Sequence, residues 1–141
     1  MHQKSPNVLI MARDTLVGSV IEHRVRLMGW EAICFTSNDE LDLLLAAGLP
    51  QLFVVDLDDS GAMGLNLVER LATDERTSRI PILCMSADGD LNLAELAFRT
   101  GAKDFLLVPF DILLLQQKIE KWLRQGTATL KSDQAKQDTS E

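Results

Sequence analysis

The sequence predicts a doubly wound α/β domain: a five-stranded parallel sheet in the order 2-1-3-4-5, with helices on both faces. Three observations lead there. Short β-branched or apolar runs alternate five times with longer stretches of helical spacing. Strands separated by a helix-length crossover pair in parallel, because a tight turn cannot connect parallel neighbours. The central strand candidates are nearly continuous apolar runs, as expected where helices cover both sheet faces. Right-handed crossovers then make 2-1-3-4-5 the economical order.

The strand candidates are residues 8–12, 31–35, 51–56, 80–85 and 103–108. After the first, Leu16, Val17, Val20, Ile21, Leu27 and Met28 recur at three- and four-residue steps and predict a helix with that apolar face. Leu41, Leu44 and Leu45 mark the second helix, Leu65, Val68 and Leu71 the third, and Leu93, Leu96 and Ala97 the fourth. A fifth, over about 112–125, carries Leu115, Ile119 and Trp122 on one stripe. Ser37 with Glu40 three residues on reads as a capping box, and Asp90 and Asp111 are N-cap candidates. Gly29, Gly48 and Gly101 fall where helices should stop. Pro6, Pro50, Pro81 and Pro109 all sit at strand edges, where no ladder hydrogen bond is lost.

The chain has 141 residues, room for one domain of ordinary size. Its formal charge is 14 − 21 = −7, which repels phosphate-bearing and anionic-lipid partners, so neither nucleic acid nor a membrane surface is an expected partner. Cys34 and Cys84 lie in apolar segments without a CxxC spacing or a neighbouring histidine, so they read as small core residues in a reducing compartment. The polar first residues and the short apolar run after them do not form a secretory core, and a cytoplasmic location is expected. From 126 to 141 the composition turns to Thr, Lys, Gln, Ser and Asp. This stretch reads as a flexible polar tail or a linker outside a 7–125 domain.

In a doubly wound sheet the ligand crevice lies at the carboxyl ends of the first and third strands. That rule selects Ala12, Arg13 and Asp14, then Asp56 to Asp59 with Asp58 between, then Ser86, Ala87 and Asp88, then Val108 and Pro109. A nucleotide or flavin pocket is excluded, because the turn Ala12-Arg13-Asp14-Thr15 lacks the glycines that let backbone cradle phosphate.

Four segments carry a family resemblance. They are Val8-Leu9-Ile10-Met11, Pro50-Gln51-Leu52-Phe53-Val54-Val55-Asp56-Leu57, Ile80-Pro81-Ile82-Leu83-Cys84-Met85-Ser86-Ala87, and Gly101-Ala102-Lys103-Asp104-Phe105-Leu106 running into Pro109-Phe110. The chain resembles the receiver domains of two-component response regulators, which implies a flavodoxin-like fold and a signalling rather than an enzymatic role. In that family an acidic pair after the first strand and an acceptor aspartate hold Mg²⁺, a hydroxyl after the fourth strand bonds the phosphoryl group, and a lysine pairs with its charge. The resemblance puts Asp56 at the acceptor position, Ser86 at the hydroxyl position and Phe105 at the switch-aromatic position. Ala12 and Arg13 replace the acidic pair, Val108 replaces the lysine, and the Val108-Pro109 bond is expected to be cis.

Arg13 and Asp56 together carry about zero charge, where three carboxylates and a lysine would carry about −2. Mg²⁺ binds oxygen ligands and releases water reluctantly, so such a site should hold it weakly, and Arg13 is expected to pair with Asp56 in its place. No cofactor is expected on this reading. The alternative is a working phosphoacceptor at Asp56, with displaced carboxylates such as Asp14 and Asp58 rebuilding a weak Mg²⁺ site. The simpler reading makes Asp14 an N-cap and Asp58 and Asp59 an exposed turn. The favoured function is docking to a protein partner or a second copy, a homodimer included. The docking face would be the fourth helix, fifth strand and fifth helix, or the first and last helices.

Overall fold

In the computed structural model the backbone is described over residues 6–58, 63–89 and 91–139, with side chains as far as residue 125. Five strands, β1 (Val8–Met11), β2 (Ala32–Cys34), β3 (Leu52–Asp56), β4 (Ile82–Ser86) and β5 (Asp104–Leu107), alternate with five helices. The helices are α1 (Thr15–Leu27), α2 (Asn38–Ala47), α3 (Met63–Thr73), α4 (Leu91–Thr100) and α5 (Ile112–Thr139). All strand pairs are parallel, in the order β2-β1-β3-β4-β5. The expected topology is therefore the observed one.

The two-residue period of each strand divides its side chains between two apolar layers. Leu9, Met11, Phe53, Val55, Ile82 and Cys84 face α2, α3 and α4, meeting Leu41, Leu45, Val68, Leu71 and Ala97. Val8, Ile10, Val54, Leu83 and Met85 join Ile21 and Val25 of α1 with Leu115, Ile119 and Leu123 of α5. Phe105 is half-buried against the first layer, and Trp30 and Trp122 against the second.

Two sequence expectations need correction. The stripe read for α1 is only partly its buried face: Ile21 is buried and Val17 and Met28 pack against the core, but Leu16 and Leu27 are 71% and 64% exposed, and Gly18 and Val25, outside the stripe, also face the sheet. Glycine has no apolar side chain, so the spacing of large apolar residues cannot mark position 18. A Cβ there would stand 3.2 Å from Cys34 Sγ and 3.3 Å from Ala12 Cβ, so glycine is what lets α1 lie this close. The last helix does not end near residue 125 but runs to Thr139. Apolar spacing stops where burial stops, yet the Ala, Leu, Lys and Gln residues beyond are adequate helix formers.

The boundary chemistry is largely as read. Asp14 caps α1 by accepting from Leu16 N–H (2.9 Å), and Asp111 accepts from Leu113 N–H (2.8 Å) at the start of α5. Ser37 accepts from Glu40 N–H (3.1 Å), but the Glu40 carboxylate takes the Thr36 hydroxyl (2.7 Å) rather than closing a capping box. Gly29 and Gly101 have positive φ, and the next N–H reaches back to Val25 O and Ala97 O respectively, as in a Schellman motif. Asp59 and the expected cap Asp90 lie outside the described residues.

Cys34 is half-buried with its thiol against Glu22, and burial followed by that carboxylate pushes it up to about 11. Burial alone pushes Cys84 up to about 12. Neither thiol is activated.

Asp104 ties β5 to α5, accepting from Lys118 Nζ (2.7 Å), Trp122 Nε1 (2.9 Å) and Phe105 N–H (2.8 Å). Burial pushes its carboxyl up, but these donors together outweigh that and leave it below its ordinary value of 3.8. A depressed folded value stabilises the protein above the unfolded value, and the gain is lost as pH falls through the folded one. Asp104→Asn is expected to lower urea-unfolding stability by about 1–2 kcal/mol at pH 7, the difference narrowing as the pH falls below the ordinary value of 3.8. Equal losses at both pH values would mean that the charge contributes nothing.

Candidate functional site

The carboxyl ends of β1, β3 and β4 surround an open cleft of about 350 Å³ lined by Arg13, Asp14, Asp56, Asp58, Ala87 and Val108, among others. Those six are among the crevice residues selected from the sequence, whereas Ala12, Ser86 and Pro109 do not line it. A second cavity of about 260 Å³ opens between α2 and α3 over Met11, Phe35 and Leu67. Its cationic wall, Arg70, is already engaged by Asn38 and Asp42, which leaves the first cleft as the candidate site.

Asp56 ends β3 at 9% exposure, and a carboxylate so placed requires partners. It has two backbone donors: Arg13 N–H to Oδ2 (3.2 Å) and Asp58 N–H to Oδ1 (2.8 Å). The second is a local Asx turn, which the chain makes because its strand ends there and the next amides need acceptors. Arg13 does contact Asp56, but through the main chain. Its guanidinium does not form the expected ion pair; Nη1 donates to the Asp58 carbonyl oxygen (3.2 Å). Sequence alone could not distinguish these, since both place residue 13 beside residue 56.

Ser86 is fully buried at the end of β4, accepting from Asp88 N–H (2.9 Å) and donating its hydroxyl to Asp58 Oδ1. The other Asp58 oxygen accepts from Ala87 N–H. Asp58 is thus neither a solvated turn residue nor part of a carboxylate cluster. Asp14 caps α1, Asp58 is turned onto β4, and among the described residues no group of three or more His, Cys, Asp or Glu side chains could hold a metal. The weak-site candidates Asp14, Asp56 and Asp58 line the same cleft but do not form such a group. The missed signal was an Asp-Leu-Asp sequence at one strand end with a serine at the end of the next strand.

Ala12 is buried at 7% exposure within the α1–α5 layer. Val108, half-buried, lines the cleft and donates its N–H to Ser86 O (2.9 Å), and the bond to Pro109 is cis. No membrane-crossing helix, long and apolar enough, occurs among the described residues.

A parallel sheet with an aspartate and a serine at the ends of adjacent strands defines a small α/β domain with one polar crevice. Comparison supplies the family. No family model matches the chain. The chain is 30% identical to a response regulator receiver protein from Burkholderia phymatum, with a TM-score of 0.70 over 84% of this chain and 94% of that one. A response regulator receiver protein from Pseudomonas putida is 25% identical, with a TM-score of 0.73 over 85% of this chain and 99% of that one. The phosphate regulon transcriptional regulatory protein PhoB of Rhizobium meliloti is 25% identical over 121 residues, 86% of this chain and 53% of that protein. The chain belongs to the receiver-domain family of two-component response regulators. It spans about half the length, or less, of the curated relatives it matches.

Proposed function

We propose that this receiver domain signals by phosphorylation-independent contact with a protein partner or a second copy of itself, with residues 7–125 as the receiver unit and 126–141 as a tail or linker. The observation that carries the reading is the state of Asp56: both its oxygens accept backbone N–H groups, and the flanking positions carry a methyl and a guanidinium instead of acids. These residues do not fit Mg²⁺, which needs several oxygen ligands and is repelled by a cation beside the site. Val108 brings no positive charge to a developing phosphoryl anion.

A protein partner is supported by apolar side chains around the sheet edge at β5. Leu91 (83% exposed) and Phe98 lie seven residues apart on α4, Leu107 is exposed on β5, and Leu114 on α5. Such patches are characteristic of interaction faces. The acidic balance of the chain supports neither nucleic acid nor a membrane as partner.

A second reading, phosphorylation at Asp56 through a weak Mg²⁺ site, draws on one observation: Asp56 and Ser86 lie at the ends of paired strands under an open cleft. A backbone NMR titration with Mg²⁺ and then beryllofluoride separates the two. The expected result is no saturable shift at the Asp58 and Ala87 amides at millimolar metal. Saturation there would overturn the interaction-only reading.

A further inference from the structure

Packed interiors leave few voids larger than a water molecule. The cavity of about 260 Å³ between α2 and α3 is an exception, and it reaches Met11 at the end of β1 and Phe35 just past β2. Its floor is apolar: Phe35, Leu67 and Met11 are only 2%, 7% and 8% exposed, and Met63 stands more openly beside them. Polar groups enter the wall only at a few points, among them Ser37, Asn38, Asn66 and Arg70. An apolar concavity with a few polar groups is the make-up of a small-molecule pocket rather than of a flat docking face.

Size, lining and charge together narrow the guest. An apolar cavity of roughly 150 Å³ accepts benzene, so this one has room for a fused two-ring molecule. Two thioethers and a phenyl ring in the lining favour an aromatic guest, because sulfur and a second ring both make favourable contacts with a ring. Arg70 does not call for an anion: Nη1 donates to Asn38 Oδ1 (3.1 Å) and Nη2 to Asp42, so its charge is already balanced. Asp39 and Glu40 in the first turn of α2 oppose an added negative charge, and Arg70 opposes an added positive one. We propose that this cavity binds a small, uncharged, fused-ring aromatic compound of about the size of indole, with the Ser37 hydroxyl and the Asn38 and Asn66 amides available to a polar ring atom. The cavity shares no lining residue with the crevice at Asp56, so the site goes beyond the reading of that crevice and does not depend on it.

The test titrates the full chain with indole and follows the ¹⁵N–¹H shifts of Phe35, Asn38, Asn66 and Leu67. Saturable shifts at these residues are expected, with a Kd of about 1 mM or tighter, as a two-ring compound of this size can supply. Asn66→Phe replaces an exposed lining side chain with a larger one and is expected to weaken binding at least about tenfold. Asn66→Ala adds no bulk and is expected to change it by less than about threefold. Indoleacetate, which adds a carboxylate to the same ring, is expected to bind at least about tenfold more weakly than indole. Equal binding of that anion would show that Arg70 is open to carboxylates and would overturn the proposal. Tighter binding of N-acetyltryptophanamide than of indole would make a partner's tryptophan side chain the occupant and would overturn it as well. So would indole shifts that fail to saturate, or that persist unweakened in an Asn66→Phe protein with a native amide spectrum.

Discussion

Gly64→Ala is expected to destabilise the fold by about 2–3 kcal/mol, read as a lower urea midpoint at unchanged m-value. A Cβ at position 64 would stand 2.5 Å from the Asp56 carbonyl oxygen and 3.0 Å from Leu57 Cα. Both are backbone atoms, so no rotamer change relieves the overlap and α3 must lift from the end of β3. Alanine's better helix propensity returns only about 0.5–1 kcal/mol, too little to reverse the sign. Gly18→Ala is the matched control, since its closest contacts, 3.2 and 3.3 Å, are to side chains that can yield, and the expected loss is about 1 kcal/mol. Equal midpoints for Gly64→Ala and wild type would show that α3 is not held at this distance. The Asp56 carbonyl belongs to the residue whose carboxylate organises the crevice, so the larger substitution should also move the Asp58 amide resonance.

Arg13→Asp combined with Val108→Lys is expected to raise Mg²⁺ affinity at least about tenfold over wild type, into the millimolar range. The backbone of residue 13 already touches Asp56 Oδ2 at 3.2 Å, so a carboxylate carried there starts from a position next to the acceptor. The exchange replaces a cation with an anion at one side of the cleft and adds a compensating cation at the other. Amide shifts around Asp56 and isothermal calorimetry measure it. A double variant that still ignores Mg²⁺ would show that charge is not what bars the metal, and would leave the Asp58 carboxylate across Ser86 as the obstacle.

Much of this could be read from the chain itself, because the information was periodic. Apolar runs gave β1, β3 and β4 within two residues at each end, and the crossover rule gave their order. Misreadings arose where one residue carries two kinds of group. Arg13 was read for its guanidinium, and its N–H makes the contact with Asp56. Asp58 was read as a solvated loop acid, because whether such a residue faces water or the neighbouring strand depends on loop geometry that spacing does not encode. In α1 one of the buried positions is the smallest residue, Gly18, and a hydrophobicity count is blind to it.

The crevice hydrogen bonds also bear on how the rim moves. Arg13 N–H and Asp58 N–H meet on Asp56, Ala87 N–H and the Ser86 hydroxyl meet on Asp58, and Asp88 N–H returns to Ser86. Three segments that follow three different strands are thereby stitched into one piece, although loops ordinarily fluctuate independently. A protein docking on that end of the sheet meets a surface that is already set, so little ordering entropy opposes association. The carboxylates of Asp56 and Asp58, by taking these donors, make the rim a rigid platform.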